Sequence, residues 1–511
     1  MKDLNYIQGA FLLAITNFIT GTLAFGFRIY FSRSVGAEGM GVFQLVFPLY
    51  MLMITLVSGG VTTALSKIIA EYKVKNNEPG MAKTIRTSFI FIGFWSISVC
   101  AIIFLNSDFI ASEVLKDSRT SLSVVLLTPS VFFISMSAIF RGYFFGIQKI
   151  KQPALIDVAE KVVRLGGLII LTRVMLPYGI AYACAGAVLA MTAGEFISSI
   201  LLSIAYNRSD RKRLVQASSE SAWGIIHKII SLAIPLSLGG ALATIMDMIS
   251  AVLVPVQLET AGYDHTTALS LYGEITGMVM PLIAYPGIII FSLTITLVPA
   301  ITRSHISGNN KALNKKCHDS LIIGWSIGLF ATVFCISFPE ELCSVIYKCP
   351  EAGNQLFWAG IGCSFHYFHV IQFAILNGLG LQRKVLANVA FDILINVACI
   401  YLLIPIPRIG IYGYIIGFFL SGLFISIRNA KILQKQDGIY IDHRRILIKP
   451  LIPFLCMLIL VKLSNTLFIT LGFTYNMIFS GLIGIIAFSM SLLLSGVFTL
   501  VQIKNTLNFN R

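Results

Sequence analysis

Fourteen apolar segments, each 20 residues or longer, follow one another along the 511-residue chain. A helix needs roughly 20 mostly apolar residues to cross a bilayer, so each segment is long enough to span one. Charged residues make up 12% of the chain, against about 25% in a soluble globular protein. The pattern predicts an all-α, polytopic membrane protein with transmembrane helices at 7–31, 41–70, 85–106, 121–145, 154–176, 180–206, 224–254, 270–302, 318–338, 354–378, 385–404, 411–430, 448–470 and 472–502.

The basic residues are distributed unevenly between the loops. If the N-terminus is cytoplasmic, 30 of the 38 Lys and Arg residues lie in or beside the inner loops. By the positive-inside rule, this bias predicts that both termini are cytoplasmic. It also accounts for the net charge of +15 without a nucleic-acid partner. The first segment lacks an Ala-x-Ala cleavage pattern, so we expect it to remain as a spanning helix.

A six-helix unit occurs twice in the sequence. At offsets of 233 or 234 residues, the matching positions are Pro48 with Pro281, Asn76 with Asn309, and Gly146 with Gly380. Six is an even number of spans, so both units have the same orientation, as in two-lobed transporters. The predicted divisions are an N-lobe at 1–206, a basic cytoplasmic linker at 207–228, a C-lobe at 229–433 and a two-helix extension at 434–511.

No motif for catalysis is present. The sequence contains no Walker A loop, H-E-x-x-H pair or nucleophile elbow, which predicts that the chain is not an enzyme and needs no cofactor. The nine cysteines have no zinc-site spacing, so no metal site is expected from them. Cys343 and Cys349 share a predicted outer loop, where they either form a disulfide or remain free thiols.

Arg28 stands inside the first apolar segment. An arginine at the centre of a membrane helix costs ~2.5–3.5 kcal/mol on insertion scales, so we expect it to face water, protein or an anionic ligand. A guanidinium matches phosphate oxygens bidentately, which favours a diphosphate-binding role; the alternative is that Arg28 pairs with a carboxylate for structure. At an offset of 219 residues Arg28 lies over Asp247, which would place the two opposite each other across the predicted lobe interface. Arg33 and Glu38 border the first outer turn and are either further substrate ligands or an interfacial anchor and a solvated charge.

Other ionisable residues also fall within predicted spans. Asp247 and Glu274 are candidates for ion coupling, or else hydrogen-bonded structural acids. Glu195 and Asp392 are two more intramembrane carboxylates. The helically spaced residues Asp157, Glu160, Lys161 and Arg164 are expected to form a salt-bridged patch at an inner mouth. His366 and His369 are one turn apart, a spacing that favours packing over metal binding.

Several runs resemble one transporter family. They are Gly26-Phe27-Arg28, Ser32-Arg33-Ser34-Val35-Gly36-Ala37-Glu38-Gly39-Met40-Gly41, Ser66-Lys67-Ile68-Ile69-Ala70-Glu71-Tyr72 and Arg141-Gly142-Tyr143-Phe144-Phe145-Gly146 with Gln148-Lys149. Together with the 6+6+2 helix plan, they resemble the stage V sporulation protein B and polysaccharide biosynthesis branch of the multidrug/oligosaccharidyl-lipid/polysaccharide exporter superfamily. The resemblance implies a V-shaped pair of lobes around a central cavity, and a relation to the lipid II flippases.

The resemblance also implies site residues. Lipid II flippases place essential arginines in helix 1, one matching Arg28 and another near Arg33. Where that type has a further arginine in helix 1, this chain has Thr22, and it has no arginine at all between Val42 and Ser66.

The favoured function is a flippase that moves a lipid-linked saccharide diphosphate across the bacterial plasma membrane. The precursor would serve peptidoglycan, spore cortex or polysaccharide synthesis. Its diphosphate is expected near Arg28, its sugars in the cavity and its lipid tail beside helices 13 and 14. The alternatives are a multidrug/cation antiporter that depends on Asp247 and Glu274, and a membrane scaffold for envelope enzymes. Membrane lipids are expected partners, and envelope-synthesis enzymes are further candidates.

Overall fold

The computed structural model describes residues 2–210, 220–436, 439–440, 442, 444–468 and 473–495. Within these ranges every regular element is helical, which confirms the all-α class. Contacts divide the chain into two compact units, Met1–Val256 with Asp264–Gly273, and Gln257–Tyr263 with Glu274–Arg511. The predicted lobe boundaries at 206 and 229 stay a prediction.

The first unit is built from long helices. In chain order they are α1 (Lys2–Ser58), α2 (Val61–Val74), α3 (Glu78–Leu105), α4 (Ser107–Phe109), α5 (Ser121–Gly146), α6 (Lys151–Met175), α7 (Ile180–Asp210), α8 (Ala222–Thr260) and α9 (His265–Gly273). A π-helical turn (Ile110–Val114) and two 3₁₀ turns (Ser118–Thr120 and Leu176–Tyr178) lie between them. The last residues of α8, from Gln257, belong to the second unit.

The second unit resumes after α9 with a π-helical turn, Glu274–Val279. Its helices are α10 (Met280–Ala284), α11 (Gly287–Ile306), α12 (Asn310–Ser337), α13 (Pro339–Tyr347), α14 (Ala352–Gly378), α15 (Gln382–Leu403), α16 (Tyr412–Gln434), α17 (Leu451–Leu467) and α18 (Phe473–Leu494). A further π-helical turn, Arg444–Ile448, precedes α17. Phe330 of α12 stacks on Phe488 of α18 at 5.3 Å, so the extension packs on this unit's core.

The described residues contain thirteen helical stretches long and apolar enough to cross a bilayer, against fourteen predicted segments. Predicted segments 7–31 and 41–70 fall in one helical stretch, Ile15–Val74. The predicted segment 154–176 is helix α6, which carries too many charges to be counted among the thirteen. The predicted segment 270–302 is two spans, because the helix is interrupted between Ala284 and Gly287, at Tyr285-Pro286. The protein is therefore a multi-pass membrane protein, as predicted.

Helix α1 folds back on itself at Gly36. In a continuous helix, Phe27 and Phe43 would be roughly 24 Å apart at 1.5 Å per residue, yet their ring centroids are 6.2 Å apart. Gly36 has a φ of 72° and a ψ of −170°, a conformation that only glycine adopts readily. Helix α1 is thus a hairpin of two arms, 2–35 and 37–58, which places Arg28 on the first arm beside the second.

Two glycines bring α5 close to α2. A Cβ atom on Gly142 would lie 2.8 Å from the Cβ of Leu65, and one on Gly146 would lie 2.7 Å from the Cβ of Ile69. Their four-residue spacing presents both on one face of α5, the small-residue pattern that allows membrane helices to approach closely. This contact positions Arg141, which precedes Gly142, next to α6 and α7.

Candidate functional site

Arg28 lies against an aromatic wall formed by the α1 hairpin. Its guanidinium carbon is 5.3 Å from the ring centroid of Phe47 on the second arm, within cation–π range. The ring of Phe43 stacks at 5.9 Å from that of Phe47 and at 5.1 Å from that of Phe31. Arg28 is half-buried, whereas Phe31 and Phe43 are fully buried. The hairpin therefore presents a partly accessible guanidinium on a rigid apolar support inside a membrane-spanning stretch.

The other two predicted substrate residues lie near the turn of the hairpin. Arg33 is exposed, three residues before Gly36. Glu38 is half-buried and accepts a hydrogen bond of 2.6 Å from Nη1 of Arg119. Arg119 is a functional-site residue that sequence reasoning did not identify. Of these two residues, Arg33 is therefore exposed, whereas Glu38 pairs with Arg119.

Arg119 belongs to a polar cluster at this end of the first unit. It also pairs with Asp117, at 2.8 Å from Nη2 to Oδ2, and His265 Nε2 lies 3.4 Å from the same oxygen. Burial alone would raise the pKa of Asp117, but hydrogen bonds from the Arg119 side chain and backbone and from His265 outweigh it, so that pKa is lowered. The carboxylate is therefore ionised at neutral pH and joins the loop before α5 to the start of α9.

Backbone contacts reinforce this junction. A Cβ atom on Gly41 would collide with the carbonyl oxygen of Leu269, and one on Gly273 would collide with that of Ala37. Only glycine at these positions allows the second arm of α1 and helix α9 to touch backbone to backbone. Together with the Arg119 cluster, the two glycines close the predicted outer end of the first unit.

A buried charge network joins α5, α6 and α7. Arg141 of α5 contacts Asp157 at 2.8 Å and Glu160 at 3.3 Å, both on α6. Arg164 bridges Glu160 at 2.8 Å and Glu195 of α7 at 2.7 Å. Glu160 and Glu195 are each only 2% exposed. With Lys161, which pairs with Glu160 at 2.7 Å, three cations balance three carboxylates.

This network contains the predicted patch and extends beyond it. Glu160 pairs with Arg164 at i,i+4 spacing and with the adjacent Lys161, so these residues are salt-bridged as expected. The partners that sequence reasoning did not include are Arg141, which pairs with Asp157, and Glu195, which pairs with Arg164; both come from neighbouring helices. The signal that could have found them is the presence of both acids and bases in adjacent spans, since buried charges are usually paired.

The network reaches the α1 hairpin through Tyr50. Its hydroxyl lies 3.4 Å from Oε1 of Glu195, and its ring centroid is 6.3 Å from that of Phe47. Tyr50 is 2% exposed and is thus fixed between the two. A continuous set of contacts therefore runs from the charges of α6 to the aromatic ring that supports Arg28.

The two ion-coupling candidates have different environments. Asp247 on α8 is exposed and has no hydrogen bond or ion pair among the described residues; that it faces Arg28 stays a prediction. Glu274 is 8% exposed and accepts a hydrogen bond of 2.5 Å from Nε2 of Gln355, a residue that sequence reasoning missed. Asp392 accepts a hydrogen bond of 3.1 Å from Asn396 on its own helix.

The sequence analysis favoured packing over metal binding for His366 and His369, and left Cys343 and Cys349 as either a disulfide or free thiols. The rings of His366 and His369 are 4.7 Å apart and meet edge to face beside Phe418. Cys343 and Cys349 are both free thiols. No group of three or more potential metal ligands occurs in the described part of the chain.

Comparisons with known proteins identify relatives in sequence. The family described as polysaccharide biosynthesis protein matches residues 6–305. Stage V sporulation protein B of Bacillus subtilis (strain 168) is 26% identical over 441 residues, which cover 85% of each chain. Lipid II flippase MurJ of the same organism is 23% identical over 467 residues, covering 84% of this chain and 85% of the flippase.

Solved structures share the fold. Lipid II flippase MurJ in an inward closed conformation matches 94% of this chain and 98% of its own, with a TM-score of 0.67 and 14% identity. An inward-facing multidrug resistance MATE family transporter of the MOP superfamily matches 83% of this chain and 99% of its own, with a TM-score of 0.65 and 16% identity. At these identities the likeness shows the fold alone, which this chain shares with both proteins.

Proposed function

Because the chain belongs to the polysaccharide biosynthesis protein family, we propose that it is a flippase for a lipid-linked saccharide diphosphate in the bacterial plasma membrane. It would move the precursor by alternating access of its two predicted lobes. Support comes from the family match, the fold shared with a lipid II flippase, and the relatives active in sporulation and lipid II flipping. The precursor would be of the peptidoglycan, spore-cortex or polysaccharide type.

The observation that carries this proposal is the position of Arg28. Its guanidinium is held over Phe47 within a membrane-spanning stretch and stays partly accessible. A cation at that depth is costly unless it is solvated, paired or bound to an anion. A diphosphate headgroup supplies an anion of matching geometry, since guanidinium and phosphate oxygens pair bidentately.

Each site residue has a distinct role in the proposal. Arg28 binds the diphosphate, and the exposed Arg33 attracts it toward the hairpin. Glu38, whose side chain is 30% exposed while it pairs with Arg119, accepts hydrogen bonds from sugar hydroxyls. Asp247 and Glu274 are the proposed sites of ion coupling.

A binding experiment with the full chain tests the assignment. The affinity for a lipid-linked saccharide diphosphate would be measured in detergent for the wild type, Arg28→Lys and Arg28→Ala. A hydrogen bond to a charged group contributes ~1.5–3 kcal/mol, so Arg28→Ala should weaken binding by roughly ten- to a hundredfold. Arg28→Lys should show an intermediate loss, because a point charge replaces a planar fork.

Arg173 provides the matched control. It is an exposed arginine at the end of α6, so Arg173→Ala removes the same charge from the same unit. It should bind the ligand like the wild type. Equal affinities for Arg28→Ala and Arg173→Ala would refute the proposed role of Arg28.

An antiporter is the second candidate, favoured by Asp247, a carboxyl group within a span that has no polar partner among the described residues. It predicts cation-driven efflux of small drugs that Asp247→Asn abolishes and Arg28→Ala leaves intact. The flippase predicts instead that Arg28→Ala impairs movement of a lipid-linked saccharide and that the wild type exports no small drug. Measuring both variants in the same vesicles distinguishes the two functions.

A further inference from the structure

Glu274 is a buried carboxyl group in a membrane-spanning helix. It is 8% exposed, and its one described polar contact is the hydrogen bond from Gln355 Nε2 at 2.5 Å. In the part of the chain that the structure describes, no basic side chain forms an ion pair with it. An ionised carboxylate in such a setting is expensive, whereas a neutral carboxyl group is not.

Gln355 has an unused acceptor beside it. The residue is 3% exposed, and its Nε2 is occupied by Glu274. Its Oε1 is fully buried and has no hydrogen-bond partner among the residues that the structure describes. Buried amide oxygens are nearly always satisfied, so this atom points to a missing donor. A protonated carboxyl group has one O–H to donate, and Glu274 is the adjacent residue that can acquire one.

Among the described residues, the titratable groups that interact electrostatically with Glu274 carry no positive charge. They are Glu351 before α14, Cys343 of α13, Cys349 in the following loop, and Tyr412 at the start of α16. The negative charge of Glu351 disfavours a second negative charge nearby. One proton taken up from water would cancel the charge of Glu274 and create the donor that Gln355 lacks.

The position of Glu274 in the chain is also distinctive. Residues 264–273 belong to the first compact unit, and Glu274 is the first residue after them that belongs to the second. The helix changes to π-helical geometry at this residue, and Pro281 and Pro286 follow. Single π-helical turns are frequent at functional sites. Glu274 therefore lies at an irregular turn of a membrane-spanning helix.

We propose that Glu274 and Gln355 form a proton-binding site, and that its proton is the ion coupled to transport. The second half of this statement rests on the proposed flippase function. The first half does not. The proton enters from the aqueous phase as the carboxylate becomes a carboxylic acid, and it leaves by the reverse reaction during the cycle.

Infrared spectroscopy of the full chain in lipid tests the binding site. A protonated carboxyl group has a C=O band that shifts in D₂O. The wild type should show this band at pH 7, and Glu274→Gln should lack it. Glu351→Gln, at an exposed neighbouring acid, should retain it. In Gln355→Leu the band should move to higher frequency, because the carboxyl group loses its hydrogen-bond partner; this variant tests the site even if Glu274→Gln misfolds.

Two results would overturn the site. One is an identical carboxyl region in the wild type and Glu274→Gln at pH 7. The other is loss of the band on adding Na⁺ at constant pH, because the pair would then hold a metal cation.

Transport in liposomes tests the coupling. An imposed pH gradient should change the rate of saccharide translocation by the wild type and have no effect on Glu274→Gln. An infrared band without a pH-gradient effect would refute the coupling and leave the proton site intact. Failure of the wild type to move any lipid-linked saccharide would instead refute the proposed function, and the infrared result would still decide the site.

Discussion

Replacing Glu195 by Gln should lower the free energy of unfolding of the first unit more than replacing Asp157, the exposed carboxylate of the same network, by Asn. Glu195 is 2% exposed and accepts hydrogen bonds from Arg164 and Tyr50. Its removal leaves three cations and two carboxylates in a buried cluster that is neutral in the wild type. Breaking a buried ion pair on one side costs about 3–5 kcal/mol. Because Arg164 retains Glu160, we expect a value of about 3 kcal/mol, at the lower end of that range.

A matched control and a double variant separate charge balance from simple damage. The Asp157 side chain is 37% exposed, so Asp157→Asn should cost about 1 kcal/mol or less, as for a solvent-screened pair. Adding Arg164→Met to Glu195→Gln restores two cations and two carboxylates. The double variant should therefore be more stable than the sum of the single variants predicts, with a coupling energy of about 1–3 kcal/mol.

The assay is reversible unfolding in mixed micelles, followed for all four variants and the wild type. Two results would refute the reasoning. The first is a Glu195→Gln cost no larger than that of Asp157→Asn. The second is strict additivity in the double variant, which would mean that Arg164 and Glu195 do not compensate each other's charge.

Further predictions concern the closed end of the first unit. In Gly273→Ala, the new methyl group would collide with the carbonyl oxygen of Ala37. This overpacking should destabilise the contact between α9 and the second arm of α1 by about 1–3 kcal/mol. Labelling of a cysteine introduced near Ala37 should then increase, and unchanged labelling would contradict the contact. The pKa of Asp117 is lowered, so its ion pair with Arg119 contributes stability above about pH 4, the ordinary carboxyl pKa, and loses it as the pH falls further. The hydrogen-exchange rate in the loop around Asp117, corrected for intrinsic rates, should be constant from pH 7 to 5 in the wild type. Asp117→Asn should raise this rate at every pH. A change in the wild-type rate between pH 7 and 5 would contradict this and would instead implicate His265.

The spans were predictable because their signal is local. Twenty apolar residues determine a transmembrane helix regardless of what surrounds them. The hairpin of α1 was also indicated, since Gly36 separates two apolar segments. Helix α6 was correctly predicted as a helix despite its charges. By length and composition alone, however, it has too many charged residues to be recognised as a membrane span.

The partners of buried polar groups were not predictable from local patterns. Arg141 and Glu195 are 54 positions apart and meet around Glu160 and Arg164 only after α5, α6 and α7 have packed. Gln355 is a neutral residue 81 positions from Glu274, and nothing in its neighbourhood in the sequence marks it as a partner. The partners of such residues are determined by tertiary contacts, whereas helix periodicity in the sequence predicts only the helix face on which each residue lies.

The central claim is that Arg28 serves the passage of a lipid-linked diphosphate. Its most direct test is translocation of a defined lipid-linked saccharide by the purified full chain in liposomes, with Arg28→Ala and Arg173→Ala compared at equal protein content. The account predicts that the wild type and Arg173→Ala move the saccharide between leaflets, and that Arg28→Ala does so at a rate reduced roughly tenfold or more, the effect of losing ~1.5–3 kcal/mol of interaction. Translocation by Arg28→Ala at the wild-type rate would contradict it.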